Sequence, residues 1–457
     1  RKIHAPCVSA GEEATNSLVH CARMVRGAGN TNISATLTGK YSKRFPLLYH
    51  AHELQTAWLN SASAMASIGS EWLTNPRNPL AYSGIGPVAG SALEVFAHAT
   101  IRRGKPQFDI ESVNVKGKDD PVAETLVLHR AFGDLKRFRR AGLPDDAPSV
   151  LIVAPMSGHF ATLLRGTVER MVENAEVYIT DWHDARDIPL SEGRFDLDDY
   201  IDYIIEFLQT IAERNEGAAA HVVAVCQPSV PALAATALMN GAKDKATPKT
   251  LTMMGGPIDT RESPTTVNDM AMKRPLSWFR QNVIATVPAQ YPGAGRRVYP
   301  GFMQLASFMS MNLGGHILSH YEMYKHLVAG DDESAQQTKD FYDEYRSVCD
   351  MTAEFYLQTV EEVFQEHSLP NNAFEHRGKV IDLGDIKQTA LLAVEGERDD
   401  ISGIGQTKAA LPLARNLSED KKRYYMAEGA GHYGIFNGSK WRTKVAPVVE
   451  QFIATHG

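Results

Sequence analysis

The chain has 457 residues, of which 43% are hydrophobic and 22% charged, with a formal net charge of -7. This length accommodates a large core or two domains, the composition is that of an ordinary soluble protein, and the acidic balance excludes a general nucleic-acid binder. No apolar run is long enough to span a bilayer, and the four cysteines (Cys7, Cys21, Cys226, Cys349) lie far apart without a CxxC pair, which argues against a zinc site and a disulfide framework. A reduced, cytoplasmic setting with no metal is the expectation. Because the chain opens on Arg1 rather than Met, a preceding signal stays open and secretion is not excluded.

Residues 1–44 are rich in Gly, Ser, Thr and Asn with little periodicity and read as a disordered tail. From 45 to 107 two helices are expected. In the first, Leu47, Leu54, Trp58, Leu59, Met65, Ile68 and Trp72 recur at helical spacing until Asn75-Pro76-Arg77-Asn78-Pro79 stops it; the second runs from Val88 to Arg102. Packing of their apolar face on the core is the first expectation, and a partner or lipid-like surface the second. Phe108 to Lys116 alternates as a strand, Val122 to Phe132 reads as its hairpin partner, and Lys136, Arg137, Arg139 and Arg140 read as a short solvated basic patch.

Ser149–Pro155 and Ala175–Trp182 are continuous apolar runs, as expected of strands buried on both faces. A helix follows over Leu197–Glu213, then a strand over His221–Val225, a helix to Met239 and a strand over Thr250–Gly256. Strands alternating with helices predict an α/β fold with a mostly parallel sheet, helices on both faces and right-handed crossovers. Residues 260–385 lack strand alternation and are helical in flavour, rich in Met and aromatic residues. The sheet resumes at Thr389–Val394 and Lys422–Ala427, with a last helix over Lys440–Ile453. The predicted catalytic core is therefore 108–259 with 386–457, and 260–385 is an inserted cap or lid, in which Trp278, Phe302 and Met303 are candidate substrate contacts.

The chemistry centres on Cys226, which ends a β-branched run and is followed by Gln227-Pro228 and an alanine-rich helix. A strand, sharp turn and helix in that order lift a side chain above the sheet edge as a nucleophile elbow does, and a histidine can activate a thiol there. Acidic residues follow a buried strand in Glu395-Gly396-Glu397-Arg398-Asp399-Asp400, and His432 sits in the loop Gly429-Ala430-Gly431-His432 after the next strand. Nucleophile, acid and histidine in this order are those of the α/β-hydrolase fold. His432 is the base for Cys226 and Asp399 the preferred partner of His432, with Asp400 and Asp259 as alternatives. Backbone amides of Gln227 and of Met156, with Ser157 next, are the candidate oxyanion donors. Ser157 is also the alternative nucleophile, because it follows a strand, although the chain lacks a Gly-x-Ser-x-Gly run. Neither a P-loop nor a Rossmann fingerprint is present, so hydrolysis requires no cofactor.

The segments Asn75–Tyr82, Val153–Phe160, Ile179–Trp182, Ala224–Pro228, Gly255–Thr260, Val298–Phe302 with Phe308–Asn312, Glu395–Ile401 and Gly431–Gly434 together resemble the intracellular polyhydroxyalkanoate (polyhydroxybutyrate) depolymerases. Polyhydroxyalkanoate synthases are similar more distantly, but their usual Gly-x-Cys-x-Gly elbow is replaced here by Ala224 and Pro228. The resemblance implies a cysteine-nucleophile α/β-hydrolase whose Cys-Asp-His triad falls on Cys226, Asp399 and His432. It also implies a polyhydroxybutyrate substrate presented as a storage granule, a thioester acyl-enzyme, and 3-hydroxybutyrate or short oligomers as product. Coenzyme A is a candidate acyl acceptor and a homodimer a candidate assembly. A synthase-like acyltransferase and an inert granule-coat protein are the competing readings.

Overall fold

The computed structural model describes residues 46–457; the expected tail at 1–44 lies outside the described residues. Two helices come first, α1 (Pro46–Thr74) and α2 (Gly86–Thr100). They meet through small residues: Ser63, Ala66 and Ser70 on α1 are buried, as are Gly86, Gly90, Ser91 and Ala97 on α2. A Cβ on Gly90 would lie 2.6 Å from Thr74 Cγ2, and Ser63 Oγ donates to the Ala97 carbonyl at 2.8 Å. This corrects the expectation that the apolar stripe packs on the core. Leu54, Trp58, Met65, Ile68 and Trp72 share the opposite side of α1 at 3.6 residues per turn, and all are exposed. Close approach of two backbones needs small side chains, so the small face is the one that is buried. The start of α1 is held instead by Tyr49, which is buried among Ala285, Val287 and Val298 and donates its hydroxyl to Asp350 Oδ2 at 2.6 Å.

A nine-stranded sheet follows: β1 (Ser112–Val115), β2 (Lys118–Arg130), β3 (Gly133–Arg140), β4 (Ser149–Val153), β5 (Glu176–Trp182), β6 (His221–Val225), β7 (Thr250–Met254), β8 (Ala390–Gly396) and β9 (Lys422–Ala427). The spatial order is β1-β2-β3-β5-β4-β6-β7-β8-β9; the sheet is antiparallel from β1 to β5 and parallel from β5 to β9. Lys116 and Gly117 both have positive φ (55° and 83°), as a two-residue primed hairpin turn requires, so β2 begins at Lys118 inside the stretch expected to be turn. The basic cluster is also different from expectation, for it belongs to strand β3. Leu135 and Phe138 are buried, while Lys136 pairs with Glu124 and Asp181, Arg137 and Arg139 with Glu176, and Arg140 with Asp120. Acids on the flanking strands satisfy these charges, and local sequence does not display that pairing.

Helix α3 (Leu197–Arg214) starts with a reciprocal cap between Asp196 and Asp199 and buries Tyr200, Ile201, Ile204, Leu208 and Ile211. It packs against α4 (Ser229–Ala242), which follows β6. The short helix Arg165–Met171 is ion-paired through Arg170 to Glu450 of the last helix of the chain, at 2.6 Å.

Between β7 and β8 the chain leaves the sheet. Helices α5 (Gly301–Met311), α6 (Leu313–Ala329) and α7 (Asp332–Tyr345) form much of this segment. It also contains short strands that alternation did not reveal, in a three-stranded sheet of Ala285–Thr286, Arg297–Tyr299 and Met351–Thr352. The segment does not stand apart as a single cap. Phe355, Leu369, Phe374 and Ile381 join the principal core, and the Phe355 ring stacks on Tyr200 of α3 with centroids 5.4 Å apart. The short helix Ala353–Thr359 that carries Phe355 packs against α3.

Candidate active site

Strand β6 is fully buried and leads directly to Cys226, whose φ is +67°, a region that side chains with a Cβ rarely occupy. The surroundings over-determine this backbone. The Cys226 N–H donates to the Met254 carbonyl at 2.7 Å, and the Cys226 carbonyl accepts from Ser229 N at 3.0 Å, where α4 begins. Gly256 closes the other side: a Cβ there would lie 2.2 Å from Ser229 Cβ and 3.2 Å from the Cys226 carbonyl oxygen. The result is a strained, half-buried thiol at the carboxyl edge of the sheet. Cys349, by contrast, is fully buried, and burial pushes its thiol well above the ordinary range.

Strand β9 leads to His432. Its Nδ1 is 2.7 Å from Asp399 Oδ2, and the Asp399 Oδ1 accepts from the backbone amides of Ile401 (2.9 Å) and Ser402 (2.8 Å). The Asp399 side chain is completely buried and that of His432 nearly so. Asp400 is exposed, and Asp259 is taken by Arg261 through Nε to Oδ1 and Nη2 to Oδ2, both at 2.8 Å, so Asp399 is the acid that meets His432. The Cys226 sulfur is the other group that acts on the same ring. Burial favours the neutral imidazole, but the Asp399 carboxylate and the Cys226 sulfur outweigh it and hold the His432 pKa well above the ordinary value. Gly255 forms the floor. With φ +61° it lies so close that a Cβ would come 3.1 Å from His432 Cε1 and 3.3 Å from Asp399 Oδ2.

Glu395, just ahead of Asp399, is a residue that reading the sequence did not single out. Its carboxylate accepts from Gly405 N (2.9 Å), Thr407 N (2.8 Å), Lys408 N (2.9 Å) and the Tyr424 hydroxyl (2.8 Å). One buried acid thus shapes the whole loop that presents Asp399. Glu397 accepts from Gly429 N at 2.6 Å and ties that loop to the histidine loop. The available signal was a carboxylate inside an otherwise apolar strand end, which must be satisfied if buried.

After β4, the Met156 N–H donates to the side-chain Oε1 of Gln227 at 3.3 Å, so the two residues expected to supply oxyanion donors touch. Ser157 is half-buried beside them. The loop is clamped from outside. Cys349 N donates to the Gly158 carbonyl at 2.9 Å, and a Cβ on Gly158 would meet Gln304 Cγ of α5 at 2.7 Å. His159 is buried, its pKa is lowered to about 4 by burial, and its Nε2–H donates to the Tyr345 carbonyl at 3.0 Å. The lid candidates are half-buried in contacts with their own neighbours: Phe302 stacks on His52 at 3.8 Å, Trp278 carries Arg274 over its ring at 4.5 Å, and Met303 packs on the principal core.

Residues 255–457 match the family model described as PHB de-polymerase C-terminus. The match spans less than half of the chain and relates that part of it to PHB depolymerases. The match supports a carboxylic ester hydrolase. The matched stretch holds Asp399 and His432, and Cys226 lies upstream of it. No curated protein matches the sequence. Solved structures similar to it include a putative lipase from Acinetobacter baumannii AYE (12% identity, TM-score 0.39, 73% of this chain and 93% of that one). Others are the 2-hydroxy-6-oxo-6-phenylhexa-2,4-dienoate hydrolase from Rhodococcus sp. strain RHA1 (11%, 0.40, 73% and 99%) and a monoacylglycerol lipase from Paleococcus ferrophilus (11%, 0.40, 71% and 99%). The α/β-hydrolase fold of this chain rests on its own strand order and on the elbow between β6 and α4.

Proposed function

We propose that the chain hydrolyses the ester bonds of polyhydroxybutyrate with Cys226 as nucleophile, His432 as base and Asp399 as its orienting partner. The observation that carries this reading is the positive-φ Cys226 facing a His432 ring whose other nitrogen is held by a buried carboxylate. With Nδ1 committed to Asp399, Nε2 is the atom that takes the thiol proton. The thiolate attacks the ester carbonyl carbon, and the negative charge that develops on oxygen is met by backbone N–H groups of Gln227 and Met156. Met156 N is occupied at rest by the Gln227 carboxamide, which is displaced when the substrate oxygen enters. Collapse expels the alkoxide, protonated by His432, and leaves a thioester on Cys226. Water deprotonated by His432 then attacks the thioester and releases a hydroxyacid or short oligomer. Coenzyme A takes the place of water if the reaction is a thiolysis.

A polymer granule presents an apolar surface, and the exposed stripe Leu54, Trp58, Met65, Ile68 and Trp72 on α1 is the face best suited to meet it. No helix among the described residues is long and apolar enough to cross a membrane. Amorphous polyhydroxybutyrate granules incubated with wild type and Cys226→Ala, with and without coenzyme A, test the proposal. Soluble 3-hydroxybutyrate from wild type alone supports it, and the coenzyme A arm names the acceptor. Full activity in Cys226→Ala would overturn it and point to Ser157. Formation of polymer from 3-hydroxybutyryl-CoA would favour the acyltransferase. Trp58→Lys with Trp72→Lys should lower granule binding while sparing a soluble ester; equal losses on both would refute the docking face.

A further inference from the structure

Away from Cys226, three side chains converge where the β2–β3 hairpin turns. His129 and Asp134 are directly opposed across the hairpin, and His183 follows β5, whose last residue Trp182 is paired with Gly133. His129 Nδ1 lies 2.7 Å from Asp134 Oδ1, and His183 Nε2 lies 3.1 Å from Asp134 Oδ2. One donor atom from each residue falls within 4.8 Å of the others. The sequence shows no such cluster, because these residues come from different strands.

His183 is fixed from two sides. Its backbone N–H donates to the Phe132 carbonyl and its ring Nδ1–H to the Ala131 carbonyl, both at 3.0 Å. In the neutral ring this leaves the Nε2 lone pair aimed at a carboxylate oxygen, which is also an acceptor. Two acceptors at that distance repel unless a cation lies between them, either a proton on Nε2 or a metal ion bound to both. A backbone carbonyl holding the far nitrogen is the usual partner of a metal-ligating imidazole. The site is open to solvent on the His129 side, whose side chain is 69% exposed, against 15% for Asp134 and 21% for His183.

We propose that His129, Asp134 and His183 bind a divalent transition-metal ion of borderline softness, for which Zn2+ is the probe. Two imidazole nitrogens and one carboxylate oxygen, with remaining positions open to water, suit such an ion. The ion does not belong to the ester-cleaving centre. In the sheet β5, β3 and β2 lie two, three and four strands from β6, so the site stands roughly 10–20 Å along the sheet from the Cys226 strand. It acts as a clamp between the hairpin end and the loop after β5. Asp184 in that loop accepts from Asp350 N at 3.0 Å, so the clamp also steadies the attachment of the inserted segment.

The test uses full-length Cys226→Ala protein, so that the thiol cannot take the ion, stripped with chelator and titrated calorimetrically with Zn2+ near neutral pH. A single saturable equivalent is expected, with a raised thermal midpoint. Adding His183→Gln or His129→Ala should weaken binding by at least about tenfold. His129 is exposed, so its variant keeps the test informative if His183→Gln fails to fold. No saturable binding, or equal affinity with and without His129→Ala, would overturn the proposal and leave a proton as the bridging cation.

Discussion

Asp399→Asn isolates what the buried acid does for His432. The two oxygens of Asp399 have unequal duties: Oδ1 accepts two backbone amides, from Ile401 and Ser402, while Oδ2 accepts from one ring nitrogen. An asparagine has one oxygen to place. Facing it toward His432 would set the NH2 group against two N–H donors, each then unsatisfied at about 1–3 kcal/mol. The oxygen therefore stays with the backbone and the NH2 group faces the imidazole. Nδ1 must then accept, the ring proton moves to Nε2, and Nε2 can no longer take the thiol proton. In a Ser-His-Asp enzyme the equivalent change lowers kcat about 10⁴-fold. A thiol ionises more readily than a hydroxyl, so a fall of about 10²–10⁴ is expected here, or about 3–5 kcal/mol in the barrier. The assay is turnover of a soluble 3-hydroxybutyrate ester beside thermal unfolding, with Asp259→Asn and Asp400→Asn as controls. A folded Asp399→Asn enzyme within about tenfold of wild type would refute the tautomer argument.

Gly255→Ala should lose about 10²-fold in turnover, because the new methyl meets the His432 ring and Asp399 while φ +61° adds about 1–2 kcal/mol of strain. Adding Ile435→Val, which removes the contact at 2.9 Å, should restore stability but not turnover; a fully active Gly255→Ala would show that the floor tolerates a methyl. Gln227→Glu places a negative charge against Met156 N, where the oxyanion develops, and should cost about 10²–10³ in kcat; an unchanged kcat would remove Met156 from the oxyanion hole. His159 and His221 are both lowered by burial from 6.5 to about 4, with Lys249 and His456 adding to the effect at His221. Between these values the unfolded chain binds protons that the folded chain refuses, so stability is greatest above the ordinary histidine range and falls as pH drops toward 4, by up to roughly 3 kcal/mol per group. Urea midpoints measured through that window check this, and a flat profile would contradict it.

Much of the site was legible because its parts lie at strand ends. The stretch His221–Val225 carries its own burial pattern, and Cys226, Asp399 and His432 each come within a few residues after such a run. Choosing Asp399 over Asp400 and Asp259 was a local preference from sequence; the choice became geometric only when Arg261 was seen holding Asp259 and the amides of Ile401 and Ser402 holding Asp399. Glu395 escaped notice because its partners at Gly405, Thr407, Lys408 and Tyr424 come together only when the loop closes on itself.

What the sequence by itself determined is the part of the architecture set by short-range periodicity: the buried parallel strands, the helices between them, and the order of thiol, acid and imidazole along the chain. These follow from backbone preferences and from which side chains avoid water, both of which act within a few residues. Only the tertiary structure decided which face of α1 is buried, since Ser63, Ala66 and Ser70 matter once Gly90 comes close enough to meet them. It alone turned the basic cluster at 136–140 into a strand, and it alone brought His129, Asp134 and His183 together. The reason is the same in each case: the energy of a small-residue contact, a buried charge or a shared ligand belongs to a pair of distant residues, and neither one carries it alone.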